Sequence, residues 1–358
     1  MANYLTRRLA MTLVAGCLLT HVGVSAEPTG QQPVVRFGVT TDLHIGKAVN
    51  GEKKLRQYVE AMKQWKPDFI VDLGDFACPS VYGRPRTYPE AHDDQLSRLR
   101  SSWVMLCEVP CPCYIAMGNH CVGWINGGKE RIRPADLQNR PHFGEDITKD
   151  EFLAVTRMPG RYYSFDRCSY HFIILDAHNS IAAELSPAEA AKVAARDGVS
   201  GDYYVDAAQC LWLEEDLKAN RNRNKVVFLH EELLSPTKVD ARRSGDSAQP
   251  SAGRRGSDII NGWQIRELLK KDGNVLACFQ GHRHASGWIL HDGTCFITLG
   301  EPGNVLSRTG DNAAYSRVTI SNAIHIEGAG SQSGFHIPID GSRYLDTRRA
   351  STRLRGGR

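Results

Sequence analysis

The chain has 358 residues, of which 41% are hydrophobic and 23% charged, and its formal net charge is +4. That balance is ordinary for a globular protein with a large core, and it excludes a disordered or low-complexity chain. Nor does it suggest a nucleic-acid protein, which would carry a concentrated basic face.

Taken in chain order, residues 1–26 read as a targeting segment. Arg7 and Arg8 precede an apolar stretch over 9–19, and Val24-Ser25-Ala26 supplies small residues before a cut. This order matches a secretory signal, so an exported protein, periplasmic or extracellular, is expected. Two other readings compete with plain cleavage besides a retained anchor. Val14-Ala15-Gly16-Cys17 resembles a lipobox that would place a lipid on Cys17, and Thr6-Arg7-Arg8 is a weak twin-arginine signal. Removing Arg7 and Arg8 lowers the net charge from +4 to +2. No later window is apolar enough to span a bilayer as a helix.

Beyond residue 33, strand and helix patterns alternate. Residues 34–40 read as a strand ending at Asp42-Leu43-His44. A helix over 53–65 has Leu55, Val59 and Met62 on one face. A strand over 68–73 runs into Gly74-Asp75, a helix follows over 96–106, and a strand over 113–117 runs into Gly118-Asn119-His120. Residues 162–165 and 170–175 suit a hairpin. A helix over 207–219 precedes a strand over 225–229 that ends at His230. Asp258 suits the N-cap of a helix over 258–271, and a strand over 274–280 leads to Gly281-His282-Arg283-His284. Four short antiparallel strands follow (287–290, 295–299, 315–320 and 323–326). Long loops span 122–156 and 231–257. The pattern predicts one α/β domain over 34–330, with mixed sheets packed face to face and helices outside. A basic, flexible tail is expected over 331–358, where Arg343, Arg348, Arg349, Arg353, Arg355 and Arg358 face only Asp346; contact with a polyanion is the sharper alternative there.

The cysteines number ten, or nine without Cys17, an odd count for an oxidising compartment. Cys107, Cys111, Cys113 and Cys121 lie close together without paired CxxC motifs, which argues against a zinc knuckle. Cys278 and Cys295 lie in apolar runs and suit the core. One or two disulfides are expected.

The chemistry concentrates at strand ends. Five apolar strands each end in residues able to bind a metal: Asp-Leu-His, Gly-Asp, Gly-Asn-His, Leu-His and Gly-His-Arg-His. Strand ends on one sheet edge gather into one crevice. Imidazole, carboxylate and amide oxygen together suit Mn²⁺, Fe or Zn²⁺. The glycines before Asp75, Asn119 and His282 would let the backbone turn sharply.

These five blocks, in order from Asp42 to His284, resemble the calcineurin-like metallophosphoesterase superfamily. The resemblance implies a four-layer αββα sandwich of two mixed β-sheets with flanking helices. It implies two divalent metal ions, one held by Asp42, His44 and His284, the other by Asn119, His230 and His282, with Asp75 bridging. It also implies hydrolysis of a phosphoester or phosphoanhydride by a hydroxide shared between the metals, with Asp75 and His120 catalytic and His120 facing the leaving group. The substrate would be small and phosphorylated, with no nucleic acid among the partners.

Two positions depart from the family pattern: Cys78, three residues after Asp75, and Cys121, after His120. Both stand where polar or acidic groups often orient the catalytic histidine. They motivate an alternative, an exported binding or scaffold protein with a silent site; a nuclease is the rival among enzymes. Residues 212–217, 226–233, 279–284 and 312–315 look like the manganese-dependent ADP-ribose/CDP-alcohol diphosphatase-like branch, although that branch often has Gln where His44 stands. Outside these blocks, Arg242-Arg243 and Arg254-Arg255 could reach a phosphate. His178 suits a surface position or the cleft, and His92-Asp93-Asp94 suits the acidic start of a helix. Cys121 reads as a buried thiol in preference to a redox handle.

Overall fold

The computed structural model describes residues 34–48, 50–78, 88–122, 147–179, 181, 184–196, 201–235, 256–300 and 314–339. All of these lie in one compact unit, Pro33–Arg358. The targeting segment over 1–26, Cys17, the paired arginines at 242–243 and 254–255, and the arginines beyond 339 lie outside the described residues. Among the described residues no helix is long and apolar enough to cross a membrane.

Two six-stranded mixed sheets form the centre. The first runs β14-β13-β12-β1-β2-β3. Its strands β1 (Val35–Thr40), β2 (Phe69–Asp72) and β3 (Cys113–Ile115) are parallel neighbours. Strands β12 (Tyr315–Ile320), β13 (Ala323–Ala329) and β14 (Phe335–Pro338) add antiparallel. The second runs β10-β11-β9-β7-β5-β4. In it β5 (Tyr170–Ile174), β7 (Lys225–Phe228), β9 (Val275–Gln280) and β11 (Thr294–Thr298) are parallel. The edges β4 (Tyr163–Arg167) and β10 (Gly287–His291) pair antiparallel. A third, two-stranded parallel sheet joins β6 (Gly201–Tyr203) to β8 (Gly256–Ile259).

Alternation along β1 shows how the layers are made. Val35, Phe37 and Val39 point into a core shared with Phe172, Phe228 and Phe279 of the second sheet. Phe37 stacks on Phe69 at 5.0 Å between ring centroids and meets Phe228 edge-on at 5.6 Å, geometries that favour aromatic pairs. Helices α1 (Gly51–Trp65), α2 (Tyr88–Leu106) and α3 (Lys149–Thr156) cover the outer face of the first sheet. Helices α5 (Ala207–Ala219) and α6 (Gly262–Asp272) cover the second; α4 (Pro187–Ala195) precedes them in sequence. The result is the four-layer αββα sandwich.

Local signals explain most elements. Leu55, Val59 and Met62 are buried as the spacing of α1 predicts, together with Tyr58. A capping box of Thr148 and Glu151 starts α3, inside the stretch expected to be a loop. Other boundaries shift. Asp258 lies in β8, not at a helix start; α6 begins at Gly262 after Asn261, whose side-chain amide exchanges hydrogen bonds with the Val205 backbone. The expected tail from 331 opens with β14, which pairs with β13 from Ala323↔Pro338 to Ile326↔Phe335. The nine described cysteines are free thiols, against the expectation of disulfides. Cys278 and Cys295 occupy adjacent strands, but they belong to the cores on opposite faces of the sheet.

Candidate metal centre

The carboxyl ends of β1, β2, β3, β7 and β9 open toward one crevice, and the backbone there is strained. Asp42, His44, Asp75, His282 and His284 all have φ between 45° and 67°, a region that L-residues enter at a cost of about 1–3 kcal/mol each. Such a cost persists only where surrounding bonds hold it. Asp42 N–H donates to Gly74 O at 2.9 Å and His44 N–H to Asp75 O at 2.8 Å, so the first two turns lock each other. The three glycines expected at turns work differently from one another. Gly74 has φ +110°, whereas Gly118 and Gly281 are needed for close approach: a Cβ there would lie 2.3 Å from Asp75 Oδ1 and 2.2 Å from Thr41 Oγ1.

The side chains converge. Ligand atoms of Asp42, His44 and His284 lie within 4.8 Å of one another, as do those of Asp75, His230 and His282, and those of His44, Asp75 and His120. Asp42 Oδ1 is 3.1 Å from His284 Nε2 and 3.7 Å from His44 Nε2. Asp75 Oδ2 faces both sides, at 3.2 Å from His230 Nε2 and 3.8 Å from His44 Nε2. Asn119 Oδ1 accepts from His282 Nδ1 at 2.9 Å. All seven residues expected as ligands are therefore together, with His120 beside them.

Electrostatics here is that of buried charge. Burial opposes an imidazolium at His230, but the carboxylates of Asp75 and Asp42 outweigh it and push His230 up to about 10. Burial would raise Asp42 and Asp75, yet the neighbouring histidines, His230 foremost, hold both below the usual carboxylate range. His44 and His282 are each pushed down to about 3, chiefly by burial. These are neutral imidazoles, the form that binds metal.

Whether cations fit can be judged from what the donors lack. His230 Nδ1–H donates to Leu73 O at 3.1 Å, which leaves Nε2 to the crevice; that atom is buried and makes no well-aligned hydrogen bond, although Asp75 is near. Nε2 of His44 and of His284 lie 3.3 Å apart, close enough for both to serve one cation. The donor set of carboxylate, imidazole and amide oxygen suits divalent ions. The residues fit a pair of metals.

Several contributors were not legible in the sequence. Asp72 Oδ1 accepts from Gly74 N–H at 2.8 Å and shapes the turn before Asp75; the Asp-x-Gly spacing is the signal for it. Glu232 Oε2 accepts from Arg283 Nε at 3.1 Å and Glu232 Oε1 from Thr298 Oγ1 at 2.7 Å, anchoring the residue between His282 and His284. Cys78 Sγ lies 3.3 Å from His44 Nδ1, so the thiol orients a ligand histidine where the family pattern led to a doubt about His120. Cys121 is a buried thiol. His178 is neither at the surface nor among the clustered ligand atoms: it is buried, and its ring lies 6.0 Å from that of Tyr203, which in turn lies 5.3 Å from that of His282. His92 lies within α2 and pairs with Glu151 of α3 at 2.8 Å, an inter-helix tie.

Comparison with known proteins agrees with this geometry. Residues 35–286 match the family model described as calcineurin-like phosphoesterase. Among solved structures, a dimetal phosphatase from Danio rerio is similar over 86% of this chain and 100% of its own, at 16% identity and a TM-score of 0.58. A Plasmodium protein described as the anchor in the inner membrane complex matches over 85% and 87%, at 16% identity and a TM-score of 0.44. Such identities speak for the fold alone. No curated protein matches the sequence significantly.

Proposed function

Because the chain belongs to the calcineurin-like phosphoesterase family, we propose that it hydrolyses a phosphoester or phosphoanhydride bond in a small phosphorylated molecule. The observation that carries this is the convergence of seven metal-competent side chains around Asp75, with the buried Nε2 of His230 3.2 Å from its carboxylate. Asp42, His44 and His284 would hold one divalent cation, Asn119, His230 and His282 the other, with Asp75 shared. When bound, two such ions lower the pKa of water and neutralise phosphate oxygens.

The chain's own residues then have separate tasks. Asp75 Oδ1 accepts the His120 backbone N–H at 2.7 Å, which ties the residue facing the leaving group to the shared ligand. Nε2 of His120 is the atom positioned to give a proton or hydrogen bond to the leaving oxygen. Tyr203, edge-on to His282, bounds the crevice on the side of the third sheet.

The finer reading is a nucleotide-like diphosphate with Mn²⁺. It rests on the likeness of residues 212–217, 226–233 and 279–284 to the ADP-ribose/CDP-alcohol diphosphatase-like branch. Export is part of the same proposal and rests on residues 1–26; N-terminal sequencing of the mature protein checks it. The function itself is tested by elemental analysis, followed by a screen of phosphomonoesters, phosphodiesters and nucleoside diphosphate conjugates with Mn²⁺. Near two metals per chain and turnover of one class are expected. No metal after reconstitution would leave a silent scaffold instead.

A further inference from the structure

Lys47 belongs to none of the donor sets, yet its ammonium reaches them. Nζ lies 3.4 Å from His120 Nε2. An ammonium has protons and no lone pair, so Lys47 donates and the imidazole nitrogen accepts. Among the described residues Lys47 forms no ion pair with a carboxylate. Its charge is therefore directed at the side of the crevice where His120 stands, and the His120 ring is itself 5.1 Å from that of His44.

The turn carrying Lys47 is built to hold it there. Lys47 N–H and Ala48 N–H both donate to His44 O, each at 2.8 Å. Ile45 bridges to Ala77 as well as to Ala48. Gly46 has φ +107°, and a Cβ there would lie 2.3 Å from Cys78 O and 2.9 Å from Arg98 Cδ, so a side chain at 46 would force the turn apart. A lysine on an ordinary surface loop has no such support. Here the backbone of the residue that leads to it is fixed on both sides, and His44 is its neighbour in the same turn.

We propose that Lys47 is a substrate-binding cation of this centre, contacting the phosphoryl or leaving-group oxygen that enters beside His120. In the free protein its N–H donates to the unprotonated Nε2. With an anion in the crevice, the ammonium moves its hydrogen bond to phosphate oxygen, a stronger charge-assisted partner, and Nε2, no longer occupied as an acceptor, takes a proton from solvent and can then donate it to the leaving oxygen. No bond is made or broken by Lys47, which stays protonated. The proposal rests on reading the cluster as a phosphoesterase centre.

Its first test is binding, not turnover. Inorganic phosphate is titrated calorimetrically into the metal-loaded full chain, its Lys47→Ala variant and its Lys47→Arg variant. Lys47→Ala should weaken phosphate binding about tenfold and Lys47→Arg should restore most of it, with metal content unchanged in all three. In turnover, Lys47→Ala should lower kcat/KM about tenfold for a p-nitrophenyl ester, which keeps the phosphoryl contact, and more, up to about 100-fold, for an alkyl phosphoester, whose leaving oxygen needs more help from His120. Phosphate affinity within twofold of the wild type, loss of metal in Lys47→Ala, or no phosphate binding by the wild type would each overturn the proposal. Intact Lys47-dependent phosphate binding without turnover of any substrate would instead count against the hydrolase reading alone.

Discussion

The two large sheets contribute unequally to the centre. The first sheet's strand ends deliver Asp42, His44, Asp75, Asn119 and His120; the second sheet's deliver only imidazoles, His230, His282 and His284. All the carboxylate charge therefore comes from one half of the sandwich and must meet its partner from the other. His284 meets Asp42 at 3.1 Å and His230 meets Asp75 at 3.2 Å, and the two aspartates push His230 up to about 10. The strained backbone is divided as well, between Asp42, His44 and Asp75 on one side and His282 and His284 on the other. Neither sheet carries a usable centre alone, so the packing of one sheet on the other is what brings the donors together.

The largest expected effect breaks the contrast at its join. Asp75→Ala removes the carboxylate that stands between His44 of the first sheet and His230 of the second and should strip both cations, with turnover down by about a thousandfold or more. His284→Ala removes a second-sheet imidazole whose side chain is 26% exposed; at most one cation should be lost, with a drop of about 10–100-fold. Metal analysis and kcat/KM on the same samples check both. Equal losses in the two variants would mean that the sheets contribute alike.

Phe37→Ala attacks the packing that brings the halves together. Phe37 is fully buried, stacked on Phe69 within its own sheet and edge-on to Phe172, Phe228 and Phe279 of the other. A cavity there should cost about 3–5 kcal/mol, read as a lower urea midpoint with an unchanged slope. A cost under about 1 kcal/mol would show that the sheets hold together by other contacts.

What could be read in advance follows from the range of the forces involved. The centre was legible because each ligand block closes a strand whose apolar run is visible in the sequence, and because turns such as Gly74-Asp75 use local chemistry. Strand β8 was not, since Gly256–Ile259 pairs with Gly201–Tyr203 across a distance that no local pattern records. The same holds for β14, a four-residue edge ending in Pro338, which pairs with β13 and adds Ile337 to the core, with Phe335 packed against it. Lys47 and the Glu232–Arg283 pair escaped for a different reason. A charged residue in a loop is normally solvated, and only the fold shows that these three face ligand histidines or hold the segment between them.

The smallest expected effect sharpens the contrast by touching the second sheet alone. His171 on β5 is 5% exposed at its side chain, with Nδ1 2.8 Å from Asp166 Oδ1 on β4 and Nε2 2.7 Å from Asp216 Oδ2 on α5. The two carboxylates favour an imidazolium, which can donate to both, although the Asn220 amide Nδ2 also lies 3.3 Å from Nε2. Burial opposes that charge, but hydrogen bonds to Asp216 and Asp166 outweigh it and raise the pKa above the ordinary value. A raised histidine contributes stability that is fully present below its unfolded pKa, about 6.5, and is lost as pH rises through the folded value. The wild type should therefore exceed His171→Gln by about 1–2 kcal/mol at pH 5.5, with the gap narrowing steadily toward pH 9. Denaturant midpoints of both proteins at each pH measure it, and taking the difference cancels the pH dependence of metal binding, which both share. A gap that stays constant or widens with pH would mean that His171 is held neutral, and the tie between β4, β5 and α5 would then be one of shape rather than charge.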